Sequence, residues 1–149
     1  MGMVGTTTTY SFEDVTGAMA HPLLGAYTFD GKGCHDITIT MSEDMTKHDR
    51  AADGSIMVTK MKGEPGKLSL TVQQTSIMHK WLLGAYQAVK VADSSNWASM
   101  AATIRCVADG TSHILTGGSF TKIPEKKYTA EGQQVTWEFM FADIQSVPL

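Results

Sequence analysis

Apolar and polar residues take turns through most of this chain, and a period of two is what a backbone shows when it lies as a strand with one face buried. Four stretches carry it most clearly. Ile37, Ile39 and Met41 alternate with Thr38, Thr40 and Ser42; Leu68, Leu70 and Val72 alternate with Ser69, Thr71 and Gln73. Ala102, Ile104 and Cys106 alternate with Thr103, Arg105 and Val107; Val135, Trp137, Phe139 and Phe141 alternate with Thr136, Glu138, Met140 and Ala142. Fainter alternation at 10–15, 23–29, 56–60 and 112–122 predicts four further strands. Breakers stand between them: Gly31-Lys32-Gly33, Asp53-Gly54, Gly63-Glu64-Pro65-Gly66, Asp109-Gly110 and Gly117-Gly118.

One segment changes period. Ile77, Met78, Trp81, Leu82, Ala85, Tyr86 and Val89 recur every three or four residues after Thr75-Ser76, which are good N-cap types, so a single helix is predicted over about 76–91. With Trp81 on its apolar face, it should lie across one mouth or face of the sheets and close the core. The expectation is a mainly β fold, a β-sandwich or barrel with one flanking helix. At 149 residues and with no internal repeat, the chain should form one domain, 1–149, with a flexible N-terminal segment at 1–8.

Charged residues make up 18% of the chain, against roughly a quarter in typical soluble proteins. A chain short of surface charge often has surface that a partner covers. The net charge is −3 with no basic cluster, which argues against tight nucleic-acid binding. Cys34 and Cys106 form no CxxC pair and suggest free thiols in a reducing compartment. The Thr-rich start has no basic flank and no apolar stretch of signal-peptide length, and no run elsewhere reaches transmembrane length. A cytoplasmic site of synthesis, without membrane partners, is expected.

A search for chemistry returns little. His21, His35, His48, His79 and His113 are scattered, with no spacing that places two ligands on one metal. His79, in the helix beside the Trp81 cluster, reads as a packed or solvent-edge histidine rather than a ligand. The stretch 49–54 lacks the intermediate oxygen ligands of a calcium loop, and no metal or other cofactor is expected. Gly63-Glu64-Pro65-Gly66 has no phosphate-binding Lys and reads as a hairpin turn; Ser76 reads as a cap with no base to activate it. Glu43 and Asp44, adjacent at a strand end, point different ways and read as a solvated loop rather than catalytic carboxylates. No catalytic residue is nominated.

Two surfaces stand out instead. The segment 43–53 is too long for a tight hairpin and carries Glu43, Asp44, Met45, Lys47, Asp49, Arg50 and Asp53, which makes it the candidate interaction loop. Met41, Met45, Met57 and Met61 flank it, and thioether side chains suit either irregular packing or adaptable contact. Thr38, Thr40, Ser69, Thr71 and Gln73 form a short, uncharged, hydrogen-bonding face, either an ordinary solvent face or the wall of a channel.

Several segments, in this order and spacing, resemble a family of phage structural proteins, the tail tube subunits of contractile-tailed phages. They are Thr9-Tyr10-Ser11-Phe12-Glu13-Asp14-Val15, Ala52-Asp53-Gly54-Ser55, Leu70-Thr71-Val72-Gln73-Gln74-Thr75-Ser76, Gly118-Ser119-Phe120-Thr121-Lys122-Ile123-Pro124 and Val135-Thr136-Trp137-Glu138-Phe139. The likeness spans nearly the whole chain. It implies a sandwich with a flanking helix, not an enzyme, self-assembling into homo-hexameric rings that stack into a conduit for DNA ejection. Related secretion-system tubes share that build. It further implies that the loop at 43–53 reaches a neighbouring subunit and that the polar face lines the lumen. The implied partners are further copies, tail sheath, baseplate and tail-terminator proteins, a tape measure protein in the lumen, and genomic DNA passing without being gripped. The implied location is the virion tail, assembled in the host cytoplasm. The rival readings are a small-molecule- or peptide-binding β-barrel, an unrecognised enzyme, and another tail or baseplate component.

Overall fold

The computed structural model describes residues 9–30 and 34–149; the N-terminal segment 1–8, expected to be flexible, and residues 31–33, expected to break a strand, lie outside the described residues. Among the described residues, nine strands and one α-helix follow one another. They are β1 (Val15–His21), β2 (Gly25–Asp30), β3 (Cys34–Met41), β4 (Thr46–Arg50), β5 (Ile56–Lys60), β6 (Gly66–Gln73), α1 (Ile77–Val91), β7 (Met100–Cys106), β8 (Thr111–Lys122) and β9 (Gln134–Pro148). Seven of them form one antiparallel sheet in the order β2-β1-β7-β8-β9-β6-β3, while β4 and β5 form a separate pair.

That order forces the sheet to curl. β2 and β3 are its two outermost strands, yet only residues 31–33 separate them, and so short a link spans at most about 14 Å. The sheet therefore bends round until its inner faces meet. Ile37 and Ile39 of β3 share a cavity of about 290 Å³ with Val15, Ile104 and Cys106 of the opposite wall, and Phe12 sits at its rim. The mainly β sandwich or barrel expected from the alternation is thus built from one sheet folded on itself.

The four strongest alternating stretches are β3, β6, β7 and the first half of β9. Leu68, Leu70, Val72, Val135, Trp137, Phe139 and Phe141 are all buried, as are Met100, Ala102, Ile104 and Cys106. Burying each large apolar side chain contributes about 1.5–3 kcal/mol, so β6 and β9, paired from Gly66↔Phe141 to Gln73↔Gln134, form the main apolar seam. Phe120 packs against Trp137 and Phe139 with ring centroids 5.7 and 5.1 Å apart.

α1 begins where the sequence places it. Ser76 is the N-cap, its hydroxyl accepting from the His79 amide at 3.1 Å. Met78, His79, Leu82, Ala85 and Val89 are buried, so the helix lies across the open side of the curl. It touches both sheet ends: Trp81 stacks on Tyr27 of β2 at 5.2 Å, and Met78 sulfur meets the Cys34 thiol of β3 at 3.6 Å. Ile77, expected on the buried stripe, is instead 74% exposed, because the stripe runs through 78, 82, 85 and 89.

Four local expectations need correction. The strand expected at 10–15 is a short 3-10 turn, Phe12–Asp14, capped by Ser11. The strand that follows, β1, went unread because Gly17, Ala18 and Ala20 give no alternation in size. Gly63-Glu64-Pro65-Gly66 is no hairpin turn, since β5 and β6 do not pair with each other; it carries the chain back into the sheet, with Ser42 N–H donating to Pro65 O and Ile144 N–H to Glu64 O. Gly117-Gly118 does not break β8 but lies inside it. A β-carbon on Gly118 would stand 2.4 Å from the Phe141 ring, so glycine there makes room for a core aromatic. Finally, the segment 43–53 is not all loop, because β4 occupies Thr46–Arg50.

Candidate assembly surfaces

The candidate interaction loop is half of a projecting arm. β4 and β5 pair from Thr46↔Lys60 to Arg50↔Ile56, and Met61 N–H donating to Met45 O extends the ladder by a step. Every residue of both strands is exposed. By the two-residue period, Met45, Lys47, Asp49, Met57, Thr59 and Met61 share one face of the arm. Thr46, His48, Arg50, Ile56, Val58 and Lys60 share the other. Met45, Met57 and Val58 are 61%, 61% and 62% exposed, an uncommon amount of open apolar surface for two strands.

The sequence-nominated residues divide between distinct roles. Glu43 and Asp44 lie exposed in the approach to β4, and Met45 is at its root. Lys47 and Asp49 point to the methionine face and Arg50 to the opposite one. Asp53 serves the arm's own turn: its carboxylate accepts from the Ser55 amide at 2.9 Å and the Ser55 hydroxyl at 2.6 Å, which hold its pKa below the ordinary value. Asp109 does the same for Thr111 in the β7–β8 turn, at 3.1 and 2.6 Å. Each Asp is followed by a glycine with positive φ, +91° at Gly54 and +71° at Gly110.

Thr38, Thr40, Ser69, Thr71 and Gln73 do come together, on the outward face of β3 and β6. Thr38 pairs with Ser69, and Thr71 Oγ1 lies 3.0 Å from Thr136 Oγ1 on β9. Gln134, Thr136 and Glu138 of β9 and Lys67 of β6 extend the same face. Thr136 and Glu138 were legible as polar partners in the alternation and were not carried into the surface, while Lys67 and Gln134 stand just outside the stretches that showed it. Lys67 and Glu138 form the single ion pair within 4 Å among the described residues, at 3.9 Å, so this face carries charge in near balance. Among the described residues the face also ends in unpaired backbone on both sides: β3 pairs there with β6 alone, and β8 loses its β7 neighbour beyond Gly118 while still pairing with β9 at Phe120 and Lys122.

Both cysteines are free and buried, and burial, with the Asp30 carboxylate adding, pushes the Cys34 thiol up to about 11. His79 packs against Trp137 rather than Trp81, accepting from the indole N–H at 3.1 Å. His21 is likewise spent on structure, one ring nitrogen on Asn96 O at 2.8 Å and the other on Leu23 N–H at 3.1 Å.

The family model described as Bacteriophage PhiTE tail tube protein matches residues 7–148. The chain belongs to that tail tube family. No curated protein matches it. Among solved structures, this tail tube protein is similar to a chain in the sheath–tube complex of an extracellular contractile injection system, PVC, in its extended state. The TM-score is 0.61 at 9% identity, covering 98% of this chain and 95% of that one. A chain from the PVC sheath/tube terminator in the extended state gives 0.63 at 8% identity, covering 95% and 99%. One from the anti-feeding prophage baseplate gives 0.61 at 11%, covering 95% and 97%. At such identities the likeness is one of fold, and it extends over nearly the full length of each chain.

Proposed function

We propose that six copies of this tail tube protein close into a ring, and that rings stack into the conduit through which phage DNA leaves the capsid. The observation that carries this reading is the polar face of β8-β9-β6-β3, four adjacent strands with unpaired backbone at either side. Pairing β3 of one copy with the 119–122 stretch of β8 in the next would continue the sheet around a ring and hide both edges. Four strands from each of six copies, spaced ~4.8 Å and tilted ~36°, give a backbone diameter of roughly 45 Å, wide enough for a duplex. Short hydroxyl and amide side chains with balanced charge suit a wall that must pass DNA without holding it.

The arm at 43–61 then serves contact between rings. Sheath, baseplate and terminator components, of the kind present in the similar assemblies, are the natural partners at the outside and the ends. A tape measure protein is the natural occupant of the lumen before DNA. Assembly takes place in the host cytoplasm and the product resides in the virion tail.

Negative-stain microscopy with light scattering tests the reading. Purified protein should give rings of six times 16.1 kDa, or stacked tubes. Asp49→Ala with Arg50→Ala should shorten the tubes while leaving rings. A particle that stays monomeric at every concentration defeats the proposal.

A further inference from the structure

Three Asp-Gly steps occur in the chain, at 30–31, 53–54 and 109–110. Such a step is where a backbone rearranges most readily unaided, because glycine has no β-carbon to keep its nitrogen from the aspartate side chain. Asp30-Gly31 runs into residues outside those described, which leaves a matched pair. At the tip of the arm, Asp53 Oδ1 accepts from the Ser55 amide at 2.9 Å and hydroxyl at 2.6 Å, and Gly54 N–H donates to Ala51 O at 3.0 Å. Between β7 and β8, Asp109 Oδ1 accepts from the Thr111 amide at 3.1 Å and hydroxyl at 2.6 Å, and Gly110 N–H donates to Val107 O at 3.2 Å. Each closed turn blocks rearrangement in two ways. It occupies the glycine nitrogen, and it holds the carboxyl in its ionised form, which cannot lose an oxygen as water. The hydroxyls of Ser55 and Thr111 keep both carboxyls below the ordinary value.

The two turns differ in what keeps them shut. The Asp53 turn closes a hairpin of five residue pairs, exposed on both faces and joined to no other strand among the described residues. A hairpin of that kind opens at little cost. The Asp109 turn is flanked by Cys106 and Thr111, which pair outward with Val15 of β1 and Pro148 of β9, and Leu149 N–H donates to Gly110 O at 2.8 Å. Opening it means breaking into the seven-stranded sheet. We propose that Asp53-Gly54 is a site of spontaneous isoaspartate formation, and that the sheet withholds the same reaction from Asp109-Gly110. When the arm frays, the Gly54 nitrogen attacks Asp53 Cγ and a new C–N bond forms. The amide proton and the carboxylic proton leave with one carboxyl oxygen as water, giving a succinimide ring. Water then adds to the Asp53 backbone carbonyl carbon and breaks its bond to the Gly54 nitrogen. The main chain now runs through the Asp53 β-carbon and carries a free α-carboxylate. One water leaves and one enters, nothing is oxidised or reduced, and the mass is unchanged. The turn has gained a backbone atom, so the Arg50↔Ile56 end of the hairpin no longer closes in its old register.

Slow ageing of the folded chain tests this. The full-length protein, dilute and at neutral pH, is held warm for several weeks and digested, and the two peptides are read by electron-transfer fragmentation, which separates isoaspartate from aspartate at equal mass. Isoaspartate at Asp53 should accumulate at least about tenfold faster than at Asp109, the ratio set by how often each turn opens. In strong denaturant the two should convert at closely similar rates, since each sequence is Asp-Gly followed by a hydroxyl residue. Ser55→Ala, at an exposed position, removes the hydroxyl bond to Asp53 and should speed conversion there several-fold while leaving Asp109 unchanged. Equal accumulation at the two sites in the folded protein would overturn the proposal. So would a preference for Asp53 that persists in denaturant, which would trace it to sequence and not to the fold, or a Ser55→Ala rate no different from the parent's.

Discussion

His79 and Trp137 meet in the centre of the core, one 2% and the other 0% exposed. The indole N–H donates to His79 Nδ1, so the imidazole proton resides on Nε2, which is buried with no partner among the described residues. Protonating Nδ1 would break the bond from Trp137. Burial accordingly holds the His79 pKa below its ordinary 6.5, and the Lys126 ammonium adds to the effect. Below pH 6.5 the unfolded chain binds the proton more readily than the folded one, so stability is fully present above that value and falls as pH drops toward the depressed folded pKa. Unfolding midpoints from pH 7.5 to 4.5 should show this loss, and His79→Asn, which keeps an acceptor for the indole but does not titrate, should flatten the curve below pH 6.5. An unchanged acid limb in the variant would exclude His79 as its source. His79→Leu strands the indole N–H and should cost about 1–3 kcal/mol at neutral pH. The sequence left His79 either packed or at a solvent edge of the helix; the packed position rests on a partner 58 residues away, and no local pattern encodes that choice.

At the scale of elements, what was legible followed from where side chains are buried. β6 and the first half of β9 put every second residue in the core, and α1 announces itself by period and cap. β1 was missed because its small residues pack under larger neighbours: a β-carbon on Gly17 would stand 2.5 Å from the Phe29 ring. β4 was missed for the opposite reason. Its Thr-Lys-His-Asp-Arg is exposed on both faces and so has no buried side to imprint a period. A two-stranded hairpin with no covered face is marginal in water, which makes the arm the element whose order depends most on a partner. Hydrogen exchange on the free subunit should show the 46–60 amides exchanging orders of magnitude faster than those of β6 and β9. Assembly should bring strong protection of the arm. Equal protection before and after assembly would mean that the arm needs no second copy.

For the molecule as a whole, the low charge and the polar, nearly charge-balanced face of β3 and β6 make a joint claim that can be reversed by design. If this face lines the bore, its neutrality is what lets DNA pass, and adding charge should convert the conduit into a trap. Thr38 and Thr40 are exposed on β3 and make no core contact, so Thr38→Lys with Thr40→Lys should leave the fold and ring closure intact. Repeated around a ring and along a stack, the added ammonium groups would displace counterions from any duplex inside. Retention should therefore fall steeply with salt, the logarithm of the binding constant dropping by about 0.9 per phosphate neutralised for each decade of salt. Preformed variant tubes incubated with short duplexes at low salt should protect them from nuclease, and the protection should vanish as salt rises, while parent tubes protect none. Binding without protection would put the new lysines on the outer surface. In that event the face of β3 and β6 is an ordinary wetted exterior, and the opposite orientation of the sheet in the ring has to be adopted.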